Sequence, residues 1–224
     1  MCLDTGKEKI RLDYDSLNER LNYVYPYSNI LNINSKFSAS GLAERDNEKM
    51  YYCTRRPRFM NSGGLTSAER GTLMHRFMEK CDMNRAAINV DAEIDRLISN
   101  GVFSESEAAG IDRGKISAFF DDEVFSIIKS ADKVLRESRF IYEMPISEID
   151  ETIVGDETVT VQGIADCVVI SDGKITVIDY KTDRVNCADE LVSRYSSQLE
   201  LYAKAMHNTF DMPVHDCIIY SCEL

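Results

Sequence analysis

From Leu65 to Cys81 the apolar residues return at helical spacing. At 100° per residue Leu73, Met74, Phe77, Met78 and Cys81 fall on one arc, which predicts a stripe facing a core. His75 and Glu79 stand together beside that stripe, and Arg76 and Lys80 lie on the outer side. Thr66-Ser67-Ala68-Glu69 supplies the start, because an N-cap Thr with Glu three residues on is the capping-box pattern. Further helices are predicted near Asp91–Asn100, Ser104–Phe120 and Asp121–Ser130; acidic residues in the "SESEAAG" turn suit the helix dipole. A short helix over Tyr14–Leu21 and another capped by Ser38 or Ser40 come earlier.

From Arg139 the period changes to two. "RFIYEMPIS" reads as a strand with Pro145 at an edge or bend. "TVTVQGIADCVVI" and "KITVIDYK" read as two more, joined by Ser171-Asp172-Gly173-Lys174, where Asp-Gly predicts a two-residue type I′ turn. "ADELVSRYSSQLELYAKAMHNTF" is an amphipathic helix, and Pro213 precedes a last strand, "VHDCIIYSC". The order predicts an α/β domain: a mixed central sheet with a three-strand meander, flanked by helices, plus a helical extension over residues 80–135. Residues 1–35, polar and rich in Asn, read as a leader or linker, and residues 36–224 as the domain.

With 224 residues there is room for one sizeable core, and 44% hydrophobic with 29% charged residues is ordinary for a soluble protein. No apolar run approaches the roughly 18 residues of a membrane span, and the N-terminus does not open a signal peptide. No membrane association and a cytoplasmic location are therefore expected. Seven scattered cysteines without a C-x2-C pair argue against disulfides, zinc or an iron–sulfur cluster. A net charge of −12 argues against nonspecific coating of nucleic acid, but leaves room for phosphate contact through metal ions and a local basic patch. Arg55, Arg56 and Arg58 in "RRPRF" are the densest such patch, either a solvated loop or a phosphate contact.

The hairpin register follows from its turn. If Ser171 faces Lys174, then Val168 faces Val177, Asp166 faces Asp179 and Ile164 faces Lys181, all on one face. Directly opposed carboxylates have Cβ atoms about 4.5–5.5 Å apart and repel. Three readings are open at this point. The charges are solvated at a strand end, or the register differs. They are a glycosidase acid/base pair, which leaves Lys181 without a role in a chain with no Trp platform for sugars. Or they hold a divalent cation for phosphodiester hydrolysis, with Lys181 near the developing phosphoryl charge.

"GIADCVVI" and "VIDYKTD" with "QLELY" resemble the PD-(D/E)xK nuclease superfamily, in its RecB-like branch. "LTSAERGTLMHRFME", "RRPRF" and "DYKTDRV" with "YSSQLELYAKAM" look like the C-terminal nuclease domain of AddA-type helicase–nuclease subunits. The likeness runs from Lys36 to Cys222, with four motifs in the family's order. It implies a restriction-endonuclease-like core in which His75, Asp166 and Asp179 hold Mg²⁺ (or Mn²⁺) and Lys181 is the catalytic lysine. It also implies that Gln198 and Tyr202, one turn apart on one helix face, touch DNA backbone or support the site. Taken alone, Tyr202 fits core packing equally well, and a His beside an apolar stripe is more often a satisfied structural residue. Glu143, before "MPI", sits where relatives carry an acidic residue, and Thr182 and Arg184 are further candidates for DNA contact.

The implied partners are single-stranded DNA, a helicase domain of the same full-length chain and an AddB-type subunit. The chain carries no G-x4-G-K-[ST] loop and hence no ATP site of that kind, and it lacks the cysteines of iron–sulfur relatives. The expected function is Mg²⁺-dependent exonuclease action on single-stranded DNA in double-strand-break processing for recombinational repair. A catalytically silent nuclease-fold module for DNA binding or subunit docking is the alternative; the intact His75, Asp166, Asp179 and Lys181 set argues against it.

Overall fold

The computed structural model describes residues 14–23, 25, 30–31, 33–46, 65–153, 155–183, 185 and 187–222. They divide into two compact units, Met1–Asn34 with Pro145–Glu157, and Ser35–Met144 with Thr158–Leu224. The first holds helix α1 (Tyr14–Leu21), as the sequence predicts, and a 3₁₀ turn at Ile146–Glu148.

The second unit carries the sheet. Its elements are β1 (Lys36–Ser38), α2 (Ala39–Asp46), α3 (Ser67–Lys80), α4 (Met83–Ile88), α5 (Val90–Ser99), α6 (Glu105–Ala108), α7 (Arg113–Asp121) and α8 (Glu123–Lys129). Then come β2 (Lys133–Pro145), β3 (Thr158–Ser171), β4 (Lys174–Lys181), α9 (Ala188–Phe210) and β5 (Val214–Ser221). The order β1-β3-β4-β5, with β2 also on β3, mixes parallel pairs (β1 with β3, β4 with β5) and an antiparallel pair (β3 with β4). The mixed sheet, the meander and the helical extension match the expectation.

Local chemistry explains most boundaries. The Thr66–Glu69 capping box forms, with Glu69 Oε2 accepting from Thr66 N at 2.8 Å. Ser38 rather than Ser40 caps α2, its Oγ accepting from Gly41 N at 3.1 Å. The single helix expected over Ser104–Phe120 is two, α6 and α7. Gly110 lies between them where a Cβ would collide with Leu65 Cδ1, and Asp112 caps α7. Helix α4, which the apolar pattern is too short to reveal, starts on the Asp82 cap.

The turn at Asp172 (φ 50°) and Gly173 (φ 68°) has both central residues left-handed, the requirement of type I′. The predicted register holds from Ser171↔Lys174 through Val168↔Val177 to Cys167↔Ile178. There the β3–β4 ladder ends, one step before Asp166 and Asp179 would face each other. Like charges directly opposed destabilise a strand pair, and here the strands part instead. The Tyr180 amide donates to Asp166 Oδ2 at 2.8 Å in place of a β3 carbonyl.

Strand side chains alternate between faces, and the sheet uses both. Cys167, Val169, Ile178 and Tyr180 belong to the core built with α3 to α8, around the fully buried Phe77, Ile94, Ile116 and Phe119. The other face, which carries Val168, Val177 and the charged strand end, lies under α9.

Candidate active site

The site forms where the β3–β4 ladder opens. On β4, Asp179 is 2% exposed, and burial raises its carboxyl above the usual range. Its Oδ2 meets Lys181 Nζ at 2.8 Å. Lys181 Nζ also lies 3.3 Å from Gln198 Oε1 and 4.2 Å from the centre of the Tyr195 ring. Gln198 Nε2 in turn donates to the Tyr202 hydroxyl at 2.6 Å, and the Tyr195 hydroxyl donates to Asp183 Oδ2 at 2.6 Å. One ammonium is thus fixed by a carboxylate, an amide oxygen and an aromatic face, the last two from consecutive turns of α9.

On β3, Asp166 divides its carboxylate between the Tyr180 amide on Oδ2 and His75 Nδ1, which lies 3.3 Å from Oδ1. The hydrogen bond to Asp166 raises the His75 pKa against the opposing effect of burial. His75 reaches the strand end because α3 passes very close to it. A Cβ on Gly71, one turn earlier, would lie 2.8 Å from Thr182 Oγ1, so glycine suits this approach.

The third carboxylate comes from β2. Glu137 has a left-handed backbone (φ 50°) within the strand. Arg136 Nη1 donates to the carbonyls of Met78 (3.0 Å) and Cys81 (2.6 Å) at the end of α3, while Glu137 approaches His75 on the same helix. Strict alternation would send these two neighbours to opposite faces. The left-handed residue interrupts it, a local strain of the sort found at bulges and functional sites.

Donor atoms of His75, Glu137 and Asp166 all lie within 4.8 Å of one another. Burial and then the Asp166 charge raise the Glu137 carboxyl, and Asp166 also raises Asp179. Half-buried carboxylates that disfavour one another's ionisation, with an imidazole nitrogen among them, form a donor set that fits a divalent cation. Asp179 stands outside the 4.8 Å group, with its oxygen turned to Lys181.

His75, Asp166, Asp179, Lys181, Gln198 and Tyr202 therefore come together as the sequence suggests. Glu143 does not join them: it is exposed and borders a separate groove with Ile141 and Asn208. Thr182 is half-buried beside Gly71. Arg55, Arg56, Arg58 and Arg184 lie outside the described residues. Sequence reasoning missed two neighbours. Glu137 was hidden because β2 starts at Lys133, before the residues whose alternation is visible, and its bulge breaks the period. Tyr195 was detectable, since positions 195, 198 and 202 share one arc of α9.

A mixed sheet whose meander ends in an Asp-x-Lys strand, with His and carboxylates gathered at the open ladder, is the architecture of a metal-site nuclease. The chain belongs to the PD-(D/E)XK nuclease superfamily, whose family model matches residues 45–218. Within it, the chain is similar to the large A-type component of the ATP-dependent helicase/nuclease of Bacillus licheniformis, at 31% identity over 90% of this chain and 18% of that protein. The corresponding protein of Clostridium kluyveri is 30% identical over 97% of this chain and 19% of the relative. That of Bacillus cytotoxicus is 33% identical over 74% and 14%. The chain spans less than a fifth of the length of these relatives. Among the described residues no helix is long and apolar enough to cross a membrane.

Proposed function

We propose that this domain is a Mg²⁺-dependent DNA exonuclease acting on single strands delivered by a helicase part of the same polypeptide, in double-strand-break processing. An AddB-type subunit is the partner this reading implies, and the free thiols of Cys81, Cys167, Cys187, Cys217 and Cys222 suit a cytoplasmic setting. The observation that carries the proposal is the convergence of His75, Glu137 and Asp166 within 4.8 Å, beside the Asp179–Lys181 pair.

His75, Glu137, Asp166 and Asp179 would hold the ion. When bound, it supplies Lewis-acid stabilisation of phosphoryl oxygens and lowers the pKa of water. Asp166 orients the His75 ring through Nδ1. Lys181 presents a fixed positive charge to the oxygens that become more negative as the phosphodiester is attacked. Gln198 and Tyr202, 8% and 5% exposed, favour support of Lys181 over contact with DNA backbone. Glu137 takes the part for which the sequence suggested Glu143.

The test is digestion of end-labelled single-stranded DNA with Mg²⁺ by the unaltered chain and by Asp179→Ala and Lys181→Ala. Each variant is expected to lose at least about a hundredfold in rate, the scale of losing one preorganised charge. Wild-type cleavage by either variant sinks the assignment. Binding without cleavage by the unaltered chain, across Mg²⁺ and Mn²⁺, favours the silent module instead.

A further inference from the structure

We propose that the groove at the C-terminal end of α3 binds the phosphate backbone of the nucleic acid that the site cuts, a role that rests on the nuclease reading above. The groove encloses about 560 Å³. Its walls bring together five cations from five elements: Lys80 (α3), Arg85 (α4), Arg96 (α5), Lys129 (α8) and Arg136 (β2). In a chain of net charge −12 this is a local reversal of sign.

The single wall carboxylate, Asp82, is committed to capping α4 through the amides of Asn84 and Arg85. Arg96 is held by the buried Glu93 and Lys80 by Glu79, each at 2.5 Å. Arg136 spends hydrogen bonds on two backbone carbonyls, which leave its charge uncancelled. Arg85 and Lys129 are exposed, and among the described residues neither has a carboxylate within 4.0 Å. Clustered cations repel, and an anionic partner offsets that repulsion. Three guanidinium forks among the five favour phosphate oxygens.

Position ties the groove to the cluster. Arg136 directly precedes Glu137 on β2, and Lys80 directly follows Glu79, whose charge acts on the Glu137 carboxyl. A site crowded with carboxylates repels a phosphodiester strand, so a strand in place there needs cations just beyond it. Charges without exposed aromatic platforms grip backbone rather than bases. The groove therefore holds the strand without sequence preference.

The test uses fluorescence anisotropy with a labelled oligothymidylate at several salt concentrations in Mg²⁺, on an Asp179→Asn background that leaves the strand uncut. The Arg85→Glu/Lys129→Glu pair is expected to weaken binding at least tenfold. It should also flatten the slope of log affinity against log salt by about 1.4, at ~0.7 per phosphate contact for single strands. A charge-matched control, Lys36→Glu/Lys174→Glu, alters exposed lysines outside the groove and should change affinity by less than threefold. An unchanged slope in the groove pair, an equal loss in the control, or no binding by the background protein each overturns the groove. Cleavage of labelled DNA by the unaltered chain is scored separately, so the nuclease reading can stand while the groove falls.

Discussion

Lys181 Nζ and Asp179 Oδ2 meet at 2.8 Å, two residues apart on β4, with side chains 14% and 3% exposed. A buried pair of this kind costs most when only one partner is removed, because the other charge stays behind unpaired, at about 3–5 kcal/mol. Lys181→Met should therefore lower the stability of the metal-free protein by an amount on that scale. Adding Asp179→Asn to it should recover most of the loss. Urea unfolding in EDTA of the single and double variants checks this. Additive losses would mean that the contact carries no coupling in solution.

Glu137 and Glu143 make a paired prediction, since only the first stands with His75 and Asp166. An ion that binds the native state alone raises the melting temperature with its concentration. Titration with Mn²⁺ should stabilise the unaltered chain, and Glu137→Gln should shift the half-maximal concentration upward by tenfold or more. Glu143→Gln should leave that curve in place. If Glu143→Gln produces the larger shift, the third carboxylate is misassigned.

The hairpin shows how far the sequence could be read. Asp172-Gly173 allowed the register to be counted residue by residue, because turn type and period two are local properties. The parting of the strands before Asp166 and Asp179 was not local: it reflects repulsion between two carboxylates, balanced by the Tyr180 amide and by His75 on a distant helix. Glu137 stayed hidden for a related reason. Its left-handed φ erases the alternation that announces a strand, so the residue that completes the cluster lies where the pattern fails. Gly110 and Asp112 were legible punctuation inside a predicted single helix, and the break between α6 and α7 follows from them.

His75 gives the pH dependence of the metal-free protein. Its pKa is raised in the folded chain, chiefly by the hydrogen bond to Asp166. The protonated ring thus contributes stability that is fully present below its unfolded pKa of about 6.5 and is lost as pH rises through the higher folded value. Melting temperatures in EDTA should fall across that window, and His75→Gln should flatten the fall. An identical slope in the variant would assign the dependence to another group.

Tyr195 positions the charge of Lys181 rather than touching the reacting atoms. The ammonium lies 4.2 Å from its ring centre, and the hydroxyl is anchored on Asp183 at 2.6 Å. A cation–π contact in a partly desolvated setting is worth roughly 0.5–2 kcal/mol. Tyr195→Leu removes the ring face and should lower kcat for single-stranded DNA about tenfold with KM nearly unchanged, because the strand itself is held elsewhere. Tyr195→Phe keeps the face and loses only the anchor, so its kcat should stay within about threefold of the unaltered chain. Equal losses in the two variants would move the effect from the ring to the hydroxyl and Asp183. A loss confined to KM would instead make Tyr195 a DNA contact, with Gln198 left as the α9 residue that holds Lys181 in place.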